Sequence, residues 1–151
     1  MELGQKLVEN KVLISAVIGW VVAQIIKTII DCIINKKFDA NRLVGAGGMP
    51  SSHSSTVTAM AAAAFIIYGA SSSEFAITFI LAMIVMYDAM GVRRETGKQS
   101  VLLKLLIKDY PKSHPAGDFA ELLKEYVGHT PLQVAAGIIL GFIVALMVCF
   151  T

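Results

Sequence analysis

Two of the three histidines lie in short polar clusters that each precede a long apolar stretch. In the first cluster, at residues 47–55, two glycines and Met-Pro lead into Ser51, Ser52 and His53. The backbone N–H groups and the positive dipole end at a helix start favour the binding of an anion. Serines also cap helices without any ligand. The cluster therefore predicts either an anion site containing these three residues or an ordinary helix cap with a solvated histidine.

The second histidine cluster is GHTPLQ at residues 128–133. His129 and Gln133 are four residues apart, so in a helix they would lie on the same face. An imidazole with one nitrogen held by an acceptor is suited to act as a nucleophile or a general base. The alternative interpretation is a histidine that only caps a helix.

A third cluster, at residues 87–99, combines a carboxylate at the end of an apolar stretch with three nearby cations. Asp88 stands at the end of an apolar stretch, where an unpaired carboxylate costs several kcal/mol, so it predicts an ion pair or a functional site. Arg93 and Arg94 have guanidinium groups that bind phosphate oxygens in a bidentate manner, and Lys98 adds a further cation. Anchoring of the chain at a membrane surface explains the two arginines equally well.

Polar residues also interrupt the first apolar stretch, where Gln24, Lys27 and Asp31 follow one helical stripe. A lysine near the centre of a membrane span costs about 2.5 to 3.5 kcal/mol on the insertion scale unless it is paired or reaches the interface. The stripe predicts that Lys27 faces a polar cavity. The alternative is that Lys27 reaches the membrane interface and neutralises Asp31.

The composition indicates a membrane protein. Of the 151 residues, 56% are hydrophobic and 16% are charged, and the mean hydropathy is +0.69. These values argue against a soluble or disordered chain, and a net charge of +2 is too small to suggest nucleic acid as a partner. The length predicts a single domain over residues 1–151. Cys32 and Cys149 have no metal-ligand spacing, so neither a disulfide framework nor a metal site is expected.

Apolar stretches at about residues 12–34, 54–70, 75–90 and 131–150 predict an all-α bundle of about four membrane-spanning helices. The second stretch is rich in alanine and threonine, which favours a helix packed closely among others. Gly137 and Gly141 likewise favour close helix approach. Apolar residues at helical spacing over 101–108 and 119–127 predict two short amphipathic helices in the last long loop.

The distribution of basic residues predicts the orientation in the membrane. Four spans would place the loops at 35–53 and 91–130 on one side, and these loops hold ten lysines and arginines against two on the other side. By the positive-inside rule the long loops, and with them all three polar clusters, would be cytoplasmic.

The three clusters together resemble a known family. The segments GGMPSSHS at 47–54, YDAMGVRR at 87–94 and GHTPLQV at 128–134 are similar to the divergent branch of the type 2 phosphatidic acid phosphatase superfamily, which also contains bacterial acid phosphatases and vanadium-dependent haloperoxidases. The resemblance extends from about residue 24 to residue 141. It implies a helical bundle in which one histidine attacks a phosphomonoester, a second protonates the leaving group, and basic residues hold the phosphate without a metal or other cofactor.

The resemblance implies a role for each matching residue. His129 would be the nucleophile and His53 the general acid. Gln133 occupies the place of the carboxylate that orients the histidine, and since it carries no charge, Asp88 is the candidate to supply one. The residues predicted to bind phosphate are Ser51, Ser52, Arg93, Arg94, Arg42, Lys98 and Lys27.

The sequence departs from the superfamily pattern in two further respects. Leu123 occupies the position of an arginine six residues before the nucleophile, so Arg93 or Arg94 would have to hold the phosphate instead. The superfamily's lysine seven residues before an arginine is not reproduced, and the only approximate substitutes are Arg42 with Lys36, or Lys27.

We therefore predict an integral membrane phosphatase that hydrolyses a phosphomonoester, with a lipid phosphate as the expected substrate, through a phosphohistidine at the cytoplasmic face. The alternative is a non-catalytic protein that binds an anionic lipid or phosphate in the same basic pocket. A purely structural subunit is the third interpretation. Membrane lipids are the other expected partners, and the small-residue helix faces leave a homodimer open.

Overall fold

The structure, a computed structural model, describes residues 2–38, 48–91, 95, 99–103 and 129–151, with only the backbone for residues 2 and 3. All regular secondary structure in these segments is helical. The five principal helices are α1 (Glu2–Glu9), α2 (Lys11–Asn35), α3 (Ser52–Tyr68), α4 (Ser73–Met90) and α5 (Pro131–Phe150).

Helices α2 to α5 begin and end within two residues of the predicted apolar stretches, and the all-α class is confirmed. Helix α1 was not predicted. Residues 99–103 are helical, in agreement with the start of the first predicted amphipathic helix. The rest of that helix and the whole second one, at 119–127, lie outside the described residues.

A polar side chain caps the start of each long helix. Asn10 and Ser72 accept hydrogen bonds from the backbone N–H groups of Leu13 and Phe75, each at 3.1 Å. Ser51 and Thr130 cap α3 and α5 in the same way, and Thr130 forms a capping box with Gln133. Such caps satisfy N–H groups that have no partner within the helix, so the helix starts can be read from these residue types.

Helix α3 lies at the centre and packs against α2, α4 and α5, whereas α4 and α5 scarcely touch each other. Its alanines Ala59, Ala63 and Ala64 are fully buried. Gly141 of α5 lies so close to α3 that an added Cβ would collide with the backbone carbonyl of Ser55. The predicted close packing of the second span and of the α5 glycines is confirmed.

Small and polar side chains fill the interior, while large apolar side chains cover the outside. Ser15, Ser51, Ser54 and Ser55 are fully buried. By contrast, α4 exposes a row of large apolar side chains such as Ile77, and α5 and α2 do likewise. This distribution is typical of helices in lipid, where close packing rather than apolar burial holds helices together.

Three of the described helices, α2, α4 and α5, are long and apolar enough to cross a membrane. Helix α3 has 17 residues and is about 25 Å long. The count of four spanning helices therefore stays a prediction, while the membrane bundle itself is shown.

Candidate active site

Three helix ends meet at one end of the bundle. The Ser51 N–H donates a hydrogen bond to the Gln133 carbonyl (3.0 Å), which joins the start of α3 to the first turn of α5. The His129 N–H donates to the Ala89 carbonyl (3.1 Å), which joins the residue before α5 to the end of α4. The starts of α3 and α5, with their positive dipole ends, are therefore neighbours.

This arrangement brings His53 and His129 together from positions 76 residues apart in the sequence. Their ring centroids are 6.0 Å apart, with the ring planes at 58°. His129 is 3% exposed and His53 is half-buried in the first turn of α3. The two rings are therefore neighbours at this end of the bundle.

Gln133 defines the tautomer of His129. Its Oε1 accepts a hydrogen bond from the Thr130 N–H at 3.1 Å, and because a backbone N–H can only donate, the amide oxygen must be the atom at this position. The same Oε1 lies 3.2 Å from His129 Nδ1. Nδ1 therefore carries the hydrogen in neutral His129, and Nε2 is the nitrogen without one.

Lys27 supplies a buried cation. It is 3% exposed, and its Nζ donates to Ser52 Oγ at 3.4 Å. A Cβ added at Gly48 would lie 3.0 Å from Lys27 Cγ, so a residue without a side chain leaves room for the lysine stem. Gly48 also has a φ of +82°, which disfavours other residues. Lys27 therefore lies against a polar side chain of α3 in the interior of the bundle, while the interpretation of the whole stripe stays a prediction.

The two predicted serine ligands differ in their surroundings. Ser51 is the cap of α3, and its Oγ accepts hydrogen bonds from the N–H of Ser54 (3.3 Å) and from Ser54 Oγ (3.0 Å). It is fully buried, so its capping role is shown. Ser52 is 4% exposed and its Oγ accepts from Lys27. Ser52 is therefore the serine that contacts the cation of the site.

Of the remaining predicted residues, the structure describes Asp88 but not the four cations. Asp88 is half-buried and directly precedes Ala89, whose carbonyl binds the His129 N–H. The predicted phosphate ligands Arg42, Arg93, Arg94 and Lys98 lie outside the described residues.

One feature of the site was not predicted, and the structure adds detail to Gln24 of the predicted polar stripe. Gly48 makes room for Lys27, and the pair of glycines before Met-Pro-Ser-Ser-His was the sequence signal for it. Gln24, one turn before Lys27, is 5% exposed, and its Oε1 has no hydrogen-bond partner within the part of the chain that the structure describes. A buried acceptor of this kind usually bonds to a water or a ligand.

The fold and the site define an all-α membrane protein with two histidines and a buried lysine at the meeting point of two helix starts. A model of the divergent PAP2 family matches residues 8–144, and the chain belongs to this family. The chain is also similar to the uncharacterized membrane protein YuiD of Bacillus subtilis (strain 168), with 36% identity over 155 residues, covering 96% of this chain and 98% of that protein. No solved structure is significantly similar to it. The predicted membership of the divergent branch of the superfamily is therefore confirmed.

Proposed function

We propose that the protein is a membrane phosphatase that hydrolyses a phosphomonoester through a phosphohistidine on His129. One observation carries the proposal: two histidine rings stand 6.0 Å apart, and Gln133 holds Nδ1 of one of them. Membership of a family related to phosphatases supports the same chemistry. The cytoplasmic position of the site follows from the basic residues in the long loops and belongs to this proposal.

In the first step, the Nε2 lone pair of His129 attacks the phosphorus atom, and the bond to the alcohol oxygen breaks. Protonated His53 gives its proton to that oxygen, so the alcohol leaves as a neutral molecule. In the second step, a water molecule attacks the phosphorus atom and gives a proton to His53. The phosphorus–nitrogen bond breaks, its electron pair returns to His129, and inorganic phosphate is released.

Electrostatic stabilisation would come from a buried lysine, two helix starts and two arginines. Lys27 is held near the start of α3 by Ser52, and a buried cation interacts strongly with a phosphate that is shielded from water. The dipoles of α3 and α5 add positive potential. Arg93 and Arg94 follow α4 in the sequence and are the proposed bidentate ligands of the phosphate oxygens. A metal is not needed for this mechanism.

The test is an assay of the purified protein in detergent against a panel of phosphorylated lipids and against p-nitrophenyl phosphate. We expect phosphate release that vanadate inhibits competitively, since vanadate adopts the geometry of the attacked phosphate. His129→Ala should abolish release, and His53→Ala should lower it by about 10²- to 10⁴-fold, the usual contribution of a general acid.

His114→Ala is the matched control, because it removes the one histidine that the sequence does not assign to the site. It should leave release unchanged. Absence of release from every substrate, or release that persists in both His129→Ala and His53→Ala, would reject the phosphatase proposal.

A non-catalytic function is the second candidate, and one observation favours it. The group that holds His129 is an amide rather than a carboxylate, and an amide does not stabilise the positive charge that develops on the imidazole. In that case the same pocket would bind phosphate or an anionic lipid without cleaving it. Vanadate binding without product release from any substrate would support this function over catalysis.

A further inference from the structure

The side chain of Lys27 contacts residues 48–52 along most of its length. Its ammonium donates a hydrogen bond to Ser52 Oγ at 3.4 Å, in the first turn of α3. Its stem passes beside Gly48, where an added Cβ would lie 3.0 Å from Cγ, 3.2 Å from Cδ and 3.8 Å from Cε. The lysine therefore crosses from α2 to the start of α3 along a path that Gly48 leaves open.

Two separate properties favour glycine at position 48. A Cβ at 3.0 Å from another carbon lies inside van der Waals contact, so a side chain here would push the lysine stem aside. The φ of +82° lies in the left-handed region, which residues other than glycine rarely adopt. Gly69, at the end of α3, shares only the second property, since it has a φ of +84° and nothing within 4 Å of an added Cβ. Gly69 is therefore a matched control for Gly48.

Gln24 offers the ammonium a second acceptor. It lies three residues before Lys27, so the two side chains are neighbours on the buried side of α2. Its Oε1 is buried and has no hydrogen-bond partner among the residues that the structure describes. A buried acceptor without a partner costs free energy, so it attracts a neighbouring ammonium. The structure nevertheless has the ammonium on Ser52.

We infer that Gly48 is a positioning residue, because the open path beside it keeps the Lys27 ammonium at Ser52 and away from Gln24. The cation then stands at the start of α3, where Ser52 directly precedes His53, before an anion arrives. A charge already in place stabilises a transition state without the cost of moving there. The inference rests on the proposed function, since the anion that this cation serves is the phosphate. It adds to the site a residue that acts through Lys27.

The first experiment locates the ammonium without any ligand. The full chain in detergent carries isotope-labelled lysine, and NMR detects the ammonium signal of Lys27, which is assigned by its absence in Lys27→Met. We expect Gly48→Ala to shift this signal as Ser52→Ala does, because both changes remove the contact with the serine hydroxyl. Gly69→Ala introduces the same left-handed strain far from the lysine and should leave the signal unchanged.

Gln24→Met identifies the position to which the ammonium moves. Methionine has a shape similar to that of glutamine but has no amide oxygen. In the unsubstituted protein this change should leave the Lys27 signal nearly unchanged, because the ammonium lies at Ser52. In Gly48→Ala the same change should shift the signal further, because the ammonium has turned back to Gln24. Equal shifts in the two backgrounds would contradict the role given to Gln24.

The second experiment measures the consequence for anion binding. The affinity for vanadate is measured by equilibrium dialysis, which requires no turnover. Gly48→Ala should weaken vanadate binding by about 10- to 100-fold relative to Gly69→Ala, the scale expected for the loss of one charge-assisted hydrogen bond. In the Lys27→Met background Gly48→Ala should have no further effect, because a residue that acts through Lys27 then has nothing to position.

Two results would overturn the inference. An identical Lys27 signal in Gly48→Ala and Gly69→Ala would show that the lysine reaches Ser52 whatever residue stands at position 48. A loss of vanadate affinity that persists in full when Gly48→Ala is combined with Lys27→Met would show that the glycine shapes the loop and not the lysine. If Gly48→Ala does not fold, Gly48→Asn replaces it, with Gly69→Asn as its control, because asparagine tolerates the left-handed region better.

These outcomes are separate from the outcome of the phosphatase assay. A shifted Lys27 signal and weaker vanadate binding in Gly48→Ala, without phosphate release by the unsubstituted protein, would leave the positioning role standing and remove only catalysis. Phosphate release with a Lys27 signal that Gly48→Ala does not move would leave the phosphatase standing and remove the role of Gly48. Absence of vanadate binding to the unsubstituted protein would reject the anion site, and with it the role of Gly48 toward an anion.

Discussion

At the scale of single residues, Gln133 has two roles: it caps the start of α5, and it contacts His129. Its backbone N–H donates a hydrogen bond to the Thr130 hydroxyl and its side chain completes the capping box, so it stabilises the start of α5. The same side-chain oxygen lies against His129 Nδ1 and sets the tautomer. Loss of activity in a Gln133 variant could therefore come from either the cap or the histidine, and a control must distinguish them.

Gln133→Met should lower the rate of phosphohistidine formation by at least about 10²-fold, because His129 loses the acceptor that fixes its reactive tautomer. Gln133→Glu should keep the contact and raise the rate, since a carboxylate stabilises the charge on the imidazole. Rapid-quench measurement of the phosphorylated enzyme gives these rates.

Thr130→Ala is the matched control for Gln133. It removes the hydroxyl that caps α5, which costs about 1 kcal/mol of stability, but it leaves the contact between His129 and Gln133. We expect a lower melting temperature and an unchanged rate. Equal rates in Gln133→Met and Thr130→Ala would show that Gln133 acts only as a cap.

At the scale of helices, the spacing between α3 and its neighbours depends on glycines. An added Cβ at Gly141 would collide with the Ser55 carbonyl, whereas at Gly19 it would lie 3.1 Å from both Ala59 Cβ and the Ser55 carbonyl. At Gly4, in α1, it would meet nothing within 4 Å. Close helix approach is the main attraction between helices in lipid, so these positions affect the bundle in different degrees.

Substitution of these glycines by alanine should produce a graded loss of stability. Gly141→Ala should lower the melting temperature most, because the opposing atom is a backbone carbonyl that cannot rotate away. Gly19→Ala should have a smaller effect, and Gly4→Ala should be neutral or slightly stabilising, since alanine is a better helix former than glycine. Thermal unfolding of the three detergent-solubilised variants measures the order, and an equal effect at all three positions would contradict this account of the packing.

At the scale of the whole molecule, the orientation in the membrane decides which pool of substrate the site can reach. The proposed cytoplasmic position follows from the ten basic residues in the two long loops. Gln99 is exposed and lies in the last long loop, while Ser71 is exposed in the turn between α3 and α4 at the other end of the bundle. These two positions therefore report on opposite sides.

Single cysteines test the orientation in a variant in which Cys32 and Cys149 are replaced by alanine. In intact cells, an impermeant maleimide should label Ser71→Cys and leave Gln99→Cys unlabelled, and after lysis it should label both. Measurement is by gel shift of the labelled protein. Labelling of Gln99→Cys in intact cells would place the site on the outer face and reverse the topology.

The sequence by itself determined the helices and the chemistry of the site residues. Long apolar stretches preceded by Asn, Ser or Thr define α2 to α5, because hydrocarbon requires helices and polar caps mark where they start. The type and spacing of His129 and Gln133 implied their contact, since residues four apart in a helix start are neighbours. Helix α1 was missed because it is short and lies before the first apolar stretch.

Only the tertiary structure decided which distant residues meet. Nothing local in the sequence brings His53 beside His129 or buries Lys27 against Ser52, because both contacts depend on α3 packing between α2 and α5. Contacts of this kind arise from helix packing across the bundle rather than from the order of residues along any one helix.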